Sequence, residues 1–251
     1  LVTFLWSTSW VLIKVGLRSE LPSLTFAGLR YVLAFLCLAP FVLLNPAQRA
    51  SAASLSRGGW LRLALLGLML YTLTQGAQFV GLDYLPAATL TLMLSFTPVV
   101  VALMSGVFNN EPPAAAQWGG IALTVVGALV YFYPSSIPAR QVVGLLVALF
   151  GVLANAGAAL AGRRVNRGGQ LSPLLITTIS MGFGGLLLLV VGAATQGFGR
   201  LGATQWAIIV WLAVVNTAVA FTLWNRTLRT LTAVESSIIN NLMMPQIALL
   251  A

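Results

Sequence analysis

Residues 172–195 read SPLLITTISMGFGGLLLLVVGAAT, an apolar run without a charged side chain. A helix needs about 20 such residues to cross the hydrocarbon core of a lipid bilayer. Other runs of similar character fill most of the remaining chain, at 1–17, 24–44, 60–82, 86–107, 115–133, 142–162, 204–225 and 231–251. The sequence therefore predicts an all-α, polytopic membrane protein, with nine membrane-spanning helices present in this chain.

The composition supports a lipid environment. Hydrophobic residues make up 59% of the chain and charged residues only 7%, whereas a soluble domain carries about 25% charged residues. Because so few charges cannot cover a surface in water, membrane lipid is the expected surrounding partner. The net charge of +9 does not indicate nucleic acid, since the basic residues lie mostly between apolar runs and form no patch with interleaved aromatic residues.

Residues suited to catalysis or metal binding are scarce. The chain contains no histidine, and Cys37 is its only cysteine, so a serine–histidine site or a zinc site lacks its usual residues. Three of the four acidic residues, Glu20, Asp83 and Glu111, lie at or near breaks between the apolar runs. We therefore expect no enzymatic activity, no cofactor and no bound metal.

The basic residues are distributed unevenly between the two predicted sides of the membrane. The breaks after predicted helices 2, 6 and 8 carry Arg49, Arg57, Arg62, Arg163, Arg164, Arg167, Arg226 and Arg229. The breaks after helices 1, 5 and 7 carry only Lys14, Arg18, Arg140 and Arg200. Because positive residues are enriched in cytoplasmic loops, the first group is expected to face the cytoplasm, and the N-terminus with it.

An internal repeat is visible in the breaks. Lys14 followed by Leu21-Pro22-Ser23-Leu24 matches Arg164 followed by Leu171-Ser172-Pro173-Leu174, and Ser95-Phe96-Thr97-Pro98-Val99-Val100 matches Leu242-Met243-Met244-Pro245-Gln246-Ile247. Helices 1–4 thus correspond to helices 6–9, unless apolar segments resemble one another by chance. A five-helix repeat inverts its second copy, as in transporters that alternate access around a central site. We expect repeats at 1–133 and 142–251, with roughly 30 further residues completing a tenth helix.

Several of these segments together resemble the EamA-type transporters of the drug/metabolite transporter superfamily. The resemblance lies in Phe4-Leu5-Trp6-Ser7-Thr8-Ser9-Trp10-Val11-Leu12-Ile13-Lys14, Leu29-Arg30-Tyr31, Asn110-Glu111, Gln117-Trp118-Gly119-Gly120 and Leu223-Trp224-Asn225-Arg226. It implies a ten-helix bundle of two inverted five-helix repeats with both ends cytoplasmic, of which this chain lacks helix 10 and the start of helix 1. We expect an integral protein of the bacterial inner (plasma) membrane, and a homodimer is one assembly that the sequence leaves open.

Polar side chains within the predicted helices are candidates for a solute cavity, because such groups are costly in lipid unless they face protein or water. On predicted helix 1, Trp6, Ser7, Trp10 and Lys14 share one face. The alternative is an interfacial tryptophan belt in which Lys14 extends towards the headgroups. The other candidates on helices 3 to 8 are Tyr71, Gln75, Gln78, Thr91, Ser95, Pro98, Asn155 and Asn216. Hydrogen bonding and close packing between helices is the alternative for these residues.

Predicted helix 9 is the most polar of the nine. Ser237, Asn240, Asn241 and Pro245 are its candidate cavity residues. Glu235 is a candidate for protonation or for pairing with a charged solute, as Lys14 is in helix 1. Its alternative role is to cap the helix, since Thr232 and Glu235 have the spacing of a capping box.

These features predict a secondary transporter for small organic metabolites or amphipathic compounds, working by alternating access and acting as an exporter. The expected lining is aromatic and amide-rich with few charges, which suits neutral, zwitterionic or aromatic solutes. A nucleotide-sugar carrier would need several basic residues in the core, and only Lys14 and Arg30 approach it. The alternative function is a non-transporting membrane scaffold or a passive pore.

Overall fold

The computed structural model describes residues 1–16, 22–132 and 139–250, and the regular structure in these ranges is helical. The side chains of Lys14 and Pro245 are outside the described part, as are residues 17–21 and 133–138 of the predicted breaks. Each of the nine predicted runs coincides with one helix or with consecutive helical segments. The predicted all-α architecture is therefore confirmed.

The helices follow one another with short connections. In chain order they are α1 (Val2–Gly16), α2 (Ser23–Leu43), α3 (Pro46–Ala53), α4 (Arg57–Gly67), α5 (Gln75–Tyr84), α6 (Ala87–Leu94), α7 (Thr97–Asn109), α8 (Ala115–Phe132), α9 (Ala139–Arg167), α10 (Pro173–Gln196), α11 (Ala203–Ala213), α12 (Ala220–Thr227), α13 (Ala233–Asn241) and α14 (Met243–Leu250). Two π-helical segments, Leu68–Thr74 and Val214–Val219, join α4 to α5 and α11 to α12. In the described ranges, six continuous helical stretches are long and apolar enough to cross a membrane.

Helix α3 was not predicted from the apolar pattern. Asn45 precedes it, and the Asn45 side chain accepts hydrogen bonds from the backbone N–H groups of Ala47 and Gln48. Pro46 occupies the first turn, where a proline ring fits the helix and its missing N–H costs nothing. Because α3 has no buried residue, local capping rather than core packing accounts for this short surface helix.

Helices α2 and α10 cross at glycines. A Cβ atom added at Gly28 would lie 2.4 Å from the Cα of Leu189, and one at Gly192 would lie 2.6 Å from the Thr25 nitrogen. Helix α4 meets α10 equally closely, since a Cβ on Gly67 would lie 2.0 Å from the Ser180 carbonyl oxygen. Close contact between helix backbones is typical of membrane proteins. In lipid the hydrophobic effect does not drive helices together, so small residues that allow tight van der Waals packing are favoured at their interfaces.

Helix irregularities recur at the spacing of the sequence repeat. The π-helical segments begin at Leu68 and Val214. The breaks between α6 and α7 and between α13 and α14 fall at Ser95 and Leu242. The first pair is 146 residues apart and the second 147, close to the spacing of the matching sequence segments. This correspondence supports two related halves, and the inversion of the second half remains a prediction.

Hydrogen bonds join several of the arginine-rich breaks at one end of the bundle. Arg163 donates to both carboxylate oxygens of Glu111 and to the carbonyl oxygen of Leu228. The Ser172 hydroxyl lies 2.6 Å from Oε1 of Gln48. At the other ends of the helices, the Ser23 hydroxyl donates to Asp83. The breaks whose arginines were predicted to share one side of the membrane are therefore neighbours in the fold.

Candidate substrate cavity

A cavity of about 90 Å³ lies inside the helical bundle, with room for several water molecules. Helices α1, α5, α7, α9, α12 and α13 all contribute to its wall, so each of predicted helices 1, 3, 4, 6, 8 and 9 is represented. Helix α2 adds Arg30 and Tyr31. The wall therefore combines residues from both halves of the chain.

Seven of the residues singled out in the sequence line this cavity. They are Trp6, Trp10, Gln75, Gln78, Asn155, Ser237 and Asn240. The Asn155 side-chain nitrogen donates to the hydroxyl of Thr97, another lining residue, over 3.3 Å. The structure thus brings together amide and tryptophan side chains that are up to 234 positions apart in the sequence, from Trp6 to Asn240.

Other candidates lie at the two helix breaks instead of in the cavity wall. Pro98 stands in the first turn of α7, and the neighbouring Thr97 hydroxyl donates to the carbonyl oxygen of Leu94, which the break leaves without an α-helical partner. The Asn241 side chain donates to the Ser95 carbonyl oxygen over 3.0 Å, which joins the break after α6 to the break after α13. The Ser7 hydroxyl is within 3.2 Å of the Met243 carbonyl oxygen at the second break.

Three further candidates are held in packing contacts outside the cavity wall. Tyr71 is completely buried, with its ring 5.2 Å from that of Tyr31. The Asn216 side chain donates to the Leu5 carbonyl oxygen and to the Thr8 hydroxyl of α1. The Thr91 hydroxyl donates to a carbonyl oxygen of its own helix. These contacts match the alternative role considered for the three residues, which was hydrogen bonding and packing of the helices.

Glu235 also lies outside the wall and caps α13. The backbone N–H of Thr232 donates to the Glu235 carboxylate over 2.8 Å, and the Thr232 hydroxyl accepts from the Glu235 backbone N–H. These reciprocal bonds are the capping box that the spacing predicted as the alternative role. No basic side chain in the described ranges forms an ion pair with Glu235; both described ion pairs involve Glu111. The side chain of Lys14, its companion in the charge-pairing hypothesis, lies outside the described part.

Two further aromatic residues pack beside Trp6 of α1. The Trp6 ring centre lies 4.9 Å from that of Phe221 and 5.1 Å from that of Trp224. Both partners line the cavity and lie on α12. They were not selected from the sequence, although their spacing of three residues would have placed them on one helical face.

Arg30 is another lining residue that the site prediction omitted. Its side chain is almost completely buried within α2, and it lines the cavity. Nε donates to the Thr217 hydroxyl over 2.6 Å, and Nη2 donates to the Asn216 carbonyl oxygen over 3.3 Å. An arginine in the middle of an apolar run was the available signal, because an ionisable group inside a membrane marks a functional position by default.

Two polar atoms of lining residues lack a protein partner. The indole nitrogen of Trp6 and the side-chain oxygen of Asn240 are buried and form no hydrogen bond among the described residues. Such atoms are normally satisfied, since an unmade hydrogen bond at a buried group costs about 1–3 kcal/mol. One unpaired donor and one unpaired acceptor therefore belong to residues of the cavity wall.

The comparison with known protein families agrees with these features. The sequence model of the EamA-like transporter family matches residues 1–133 and 142–251, nearly the whole chain. This chain belongs to the EamA-like transporter family. Membership and the six long apolar helices identify it as an integral membrane protein.

Relatives of this EamA-like chain include proteins named as transporters. A protein of Bacillus subtilis (strain 168) named as the uncharacterized transporter YvbV is 26% identical over 205 residues, which cover 82% of this chain and 64% of that relative. A protein of Chlamydia trachomatis serovar L2 named as an S-adenosylmethionine/S-adenosylhomocysteine transporter is 30% identical over 128 residues, 51% of this chain and 38% of that relative. This chain therefore spans less than two thirds of the length of either relative.

The fold has a counterpart among solved structures. One crystal structure superposes with a TM-score of 0.73 at 17% sequence identity, covering 99% of this chain and 85% of the other. At this identity the likeness concerns the fold alone. The three-dimensional similarity thus supports the fold of this chain, and the family assignment rests on the sequence model.

Proposed function

We propose that this protein is a secondary transporter that carries small organic metabolites or amphipathic compounds through the central cavity and exports them. The observation that carries the proposal is the cavity itself, whose wall holds a buried donor on Trp6 and a buried acceptor on Asn240 without protein partners. A solute with complementary groups would make the hydrogen bonds that the protein leaves open. Aromatic rings on the same wall would contact an apolar or aromatic part of that solute.

Alternating access is the proposed mechanism. The helix breaks at Ser95 and Leu242 adjoin the cavity, since Thr97 and Met243 on the far side of each break line it. Discontinuous helices at a central site are typical of transporters built from two repeats. We propose that 1–133 and 142–251 are those repeats, inverted with respect to each other, and that they rock about the contact between Asn241 and Ser95.

The named relatives support the class of solute. The Chlamydia trachomatis protein is named for S-adenosylmethionine and S-adenosylhomocysteine, which are small organic molecules. It matches only part of this chain. We therefore propose for this protein the same broad class of solute, small organic molecules, and not the particular compounds.

Transport in reconstituted vesicles tests the proposal. Solutes are first selected by thermal stabilisation of the purified protein, because a ligand that binds the folded form raises its apparent stability. Uptake of each selected solute is then measured in proteoliposomes, with and without the same unlabelled solute inside. A carrier shows saturable uptake that accelerates with solute on the inner side. Flux without saturation would indicate a passive pore, and no flux would indicate a scaffold.

A further inference from the structure

Arg30 is the only charged residue among those that line the cavity in the described part of the chain. It is 3% exposed and lies within α2, a stretch that is apolar enough to cross a membrane. A buried charge is unfavourable unless a partner of opposite charge or a set of hydrogen bonds compensates for it. The surroundings of the guanidinium therefore indicate what the site is built to receive.

The partners of Arg30 within the protein carry no charge. Both described hydrogen bonds go to the π-helical segment Val214–Val219, one to the hydroxyl of Thr217 and one to the carbonyl oxygen of Asn216. π-helical segments are rare and frequently mark functional sites. These two bonds occupy two of the five N–H donors of an arginine. They orient the guanidinium but leave its positive charge without a counter-ion.

Acidic groups do not supply the missing charge in the described ranges. The ion pairs described there join Glu111 to Arg163 and to Arg167, at the end of the bundle. Asp83 accepts from Ser23, and Glu235 caps α13. The cavity wall contains no aspartate or glutamate among the described lining residues, so nothing on that described wall neutralises the charge of Arg30.

We infer that Arg30 binds an anionic group of the transported solute, a single carboxylate or a group of equivalent charge. This inference rests on the proposed transport function and names the solute class for that same cavity. The unpaired indole N–H of Trp6 adds a neutral donor on the same wall, and the rings of Trp6, Phe221 and Trp224 contact the remaining apolar or aromatic part. Small organic monoanions and zwitterions fit this site, whereas simple cations are repelled from it.

The second half of the chain does not repeat the charge. At the repeat spacing of 150 residues that relates Lys14 to Arg164, the residue corresponding to Arg30 is Ser180. Ser180 is fully buried, and its hydroxyl donates within α10 to the carbonyl oxygen of Ile176. The positive charge is therefore a feature of one half only, which suits the recognition of a single anionic group.

Three probes that share a benzene ring and differ in charge test the inference. Phenylacetate is an anion near neutral pH, 2-phenylethanol is neutral and phenethylamine is a cation. Their affinities are measured with the purified protein, its Arg30→Met and Arg30→Lys variants, and Arg226→Gln as a control that removes an exposed arginine of α12. Phenylacetate should bind the wild type and the control more tightly than the other two probes. Arg30→Met should weaken phenylacetate binding by about tenfold or more, and Arg30→Lys should weaken it less.

Within each variant, the ratio of the phenylacetate affinity to the 2-phenylethanol affinity distinguishes a loss of anion recognition from a loss of folded protein. Misfolding lowers the binding of both probes equally, because both bind the same folded fraction. An unchanged ratio in Arg30→Met, or equal weakening of all three probes, overturns the inference and assigns Arg30 a structural role. An anion that binds the wild type no better than the alcohol also overturns it. Saturable counterflow of a solute selected by thermal stabilisation would then still support a carrier. If the wild type showed no counterflow for any of these solutes, the proposed transport function itself would be contradicted.

Discussion

At the scale of single residues, the two tryptophans of α1 are the clearest link between sequence and site. Trp6 and Trp10 are one helical turn apart and both line the cavity. The interfacial-belt alternative concerns tryptophans that face lipid rather than the cavity, and Trp211, which is 56% exposed on α11, faces outward from the fold. The chain thus offers a matched pair of cases for distinguishing a solute contact from a membrane anchor.

We predict that Trp10→Ala weakens solute binding by roughly 1–3 kcal/mol, because a large apolar contact is lost from the cavity wall. Trp6→Ala should have a similar effect. The control Trp211→Ala should leave the apparent affinity unchanged, even if it lowers the amount of protein in the membrane. The measurement is the uptake KM in proteoliposomes beside protein abundance. An unaltered KM in both α1 variants would move the solute contacts to Gln75, Gln78 and Asn240.

Glu235 shows how a capping role and a titrating role can be separated. The capping box accounts for the hydrogen bonds between Glu235 and Thr232, and Glu235 lies outside the cavity wall. Glu235→Gln should therefore retain transport with the wild-type pH dependence, since glutamine also serves at this position of a capping box. Thr232→Ala should lower stability by about 0.5–2 kcal/mol through loss of the cap. A pH profile that flattens in Glu235→Gln would restore the protonation hypothesis.

At the scale of secondary-structure elements, the irregular helix segments decide which side chains reach the cavity. Tyr71 and Asn216, two candidates that miss the wall, lie inside the π-helical segments Leu68–Thr74 and Val214–Val219. Each π-helical turn inserts an extra residue, which rotates the following residues by about 100° relative to a continuous α-helix. Face assignments based on a 3.6-residue period therefore change across such a segment. Gln75 and Gln78, which both lie after the first segment, face the cavity.

The close contact between α4 and α10 gives a prediction at the same scale. Gly67→Ala should destabilise the fold by roughly 1–3 kcal/mol, because the new methyl group would overlap the Ser180 carbonyl oxygen and push the helices apart. Gly120→Ala in α8 is the matched control, since a Cβ there meets no atom within 4 Å. Thermal unfolding of both variants in detergent compares the two. Equal melting temperatures for Gly67→Ala and the wild type would show that α4 and α10 do not approach as closely as described.

At the scale of the whole molecule, the arginine-rich breaks gather at one end of the bundle. The ion pair of Arg163 with Glu111 and the hydrogen bond between Arg229 and the Leu171 carbonyl oxygen connect the breaks after predicted helices 4, 6 and 8. Arg57 and Arg167 are exposed in the breaks that belong to this group. The fold thus places these arginines at the same end of the bundle, and the positive-inside rule predicts that this end faces the cytoplasm.

Cysteine labelling tests that orientation. In a Cys37→Ala background, cysteines introduced at Arg57 and Arg167 should resist a membrane-impermeant thiol reagent in intact cells, because we expect both to face the cytoplasm. A cysteine at Arg200, in the break after α10 and exposed, should react. Permeabilised cells should label at all three positions, which shows that the cysteines are accessible. Protection of the Arg200 position together with labelling of the other two would invert the topology.

The class of fold and the positions of the long helices could be predicted from the amino-acid sequence. Runs of about 20 apolar residues leave helices as the stable way to satisfy backbone hydrogen bonds in lipid, and prolines, glycines and arginines separate the runs. Features set by neighbouring residues were also predictable, as with the capping box at Thr232 and Glu235. Short-range geometry suffices for these predictions.

Which polar side chains form the site depends on how the helices pack against one another. The breaks and π-helical segments altered the direction in which the following side chains point. The close packing at Gly28 and Gly67 placed α2 and α4 against α10. Arg30 became a cavity residue because α2 places it beside Asn216 and Thr217, which follow it in the chain by nearly 190 positions. A side chain's exposure to the cavity depends on several distant helices at once, and the periodicity of one helix carries no information about the others.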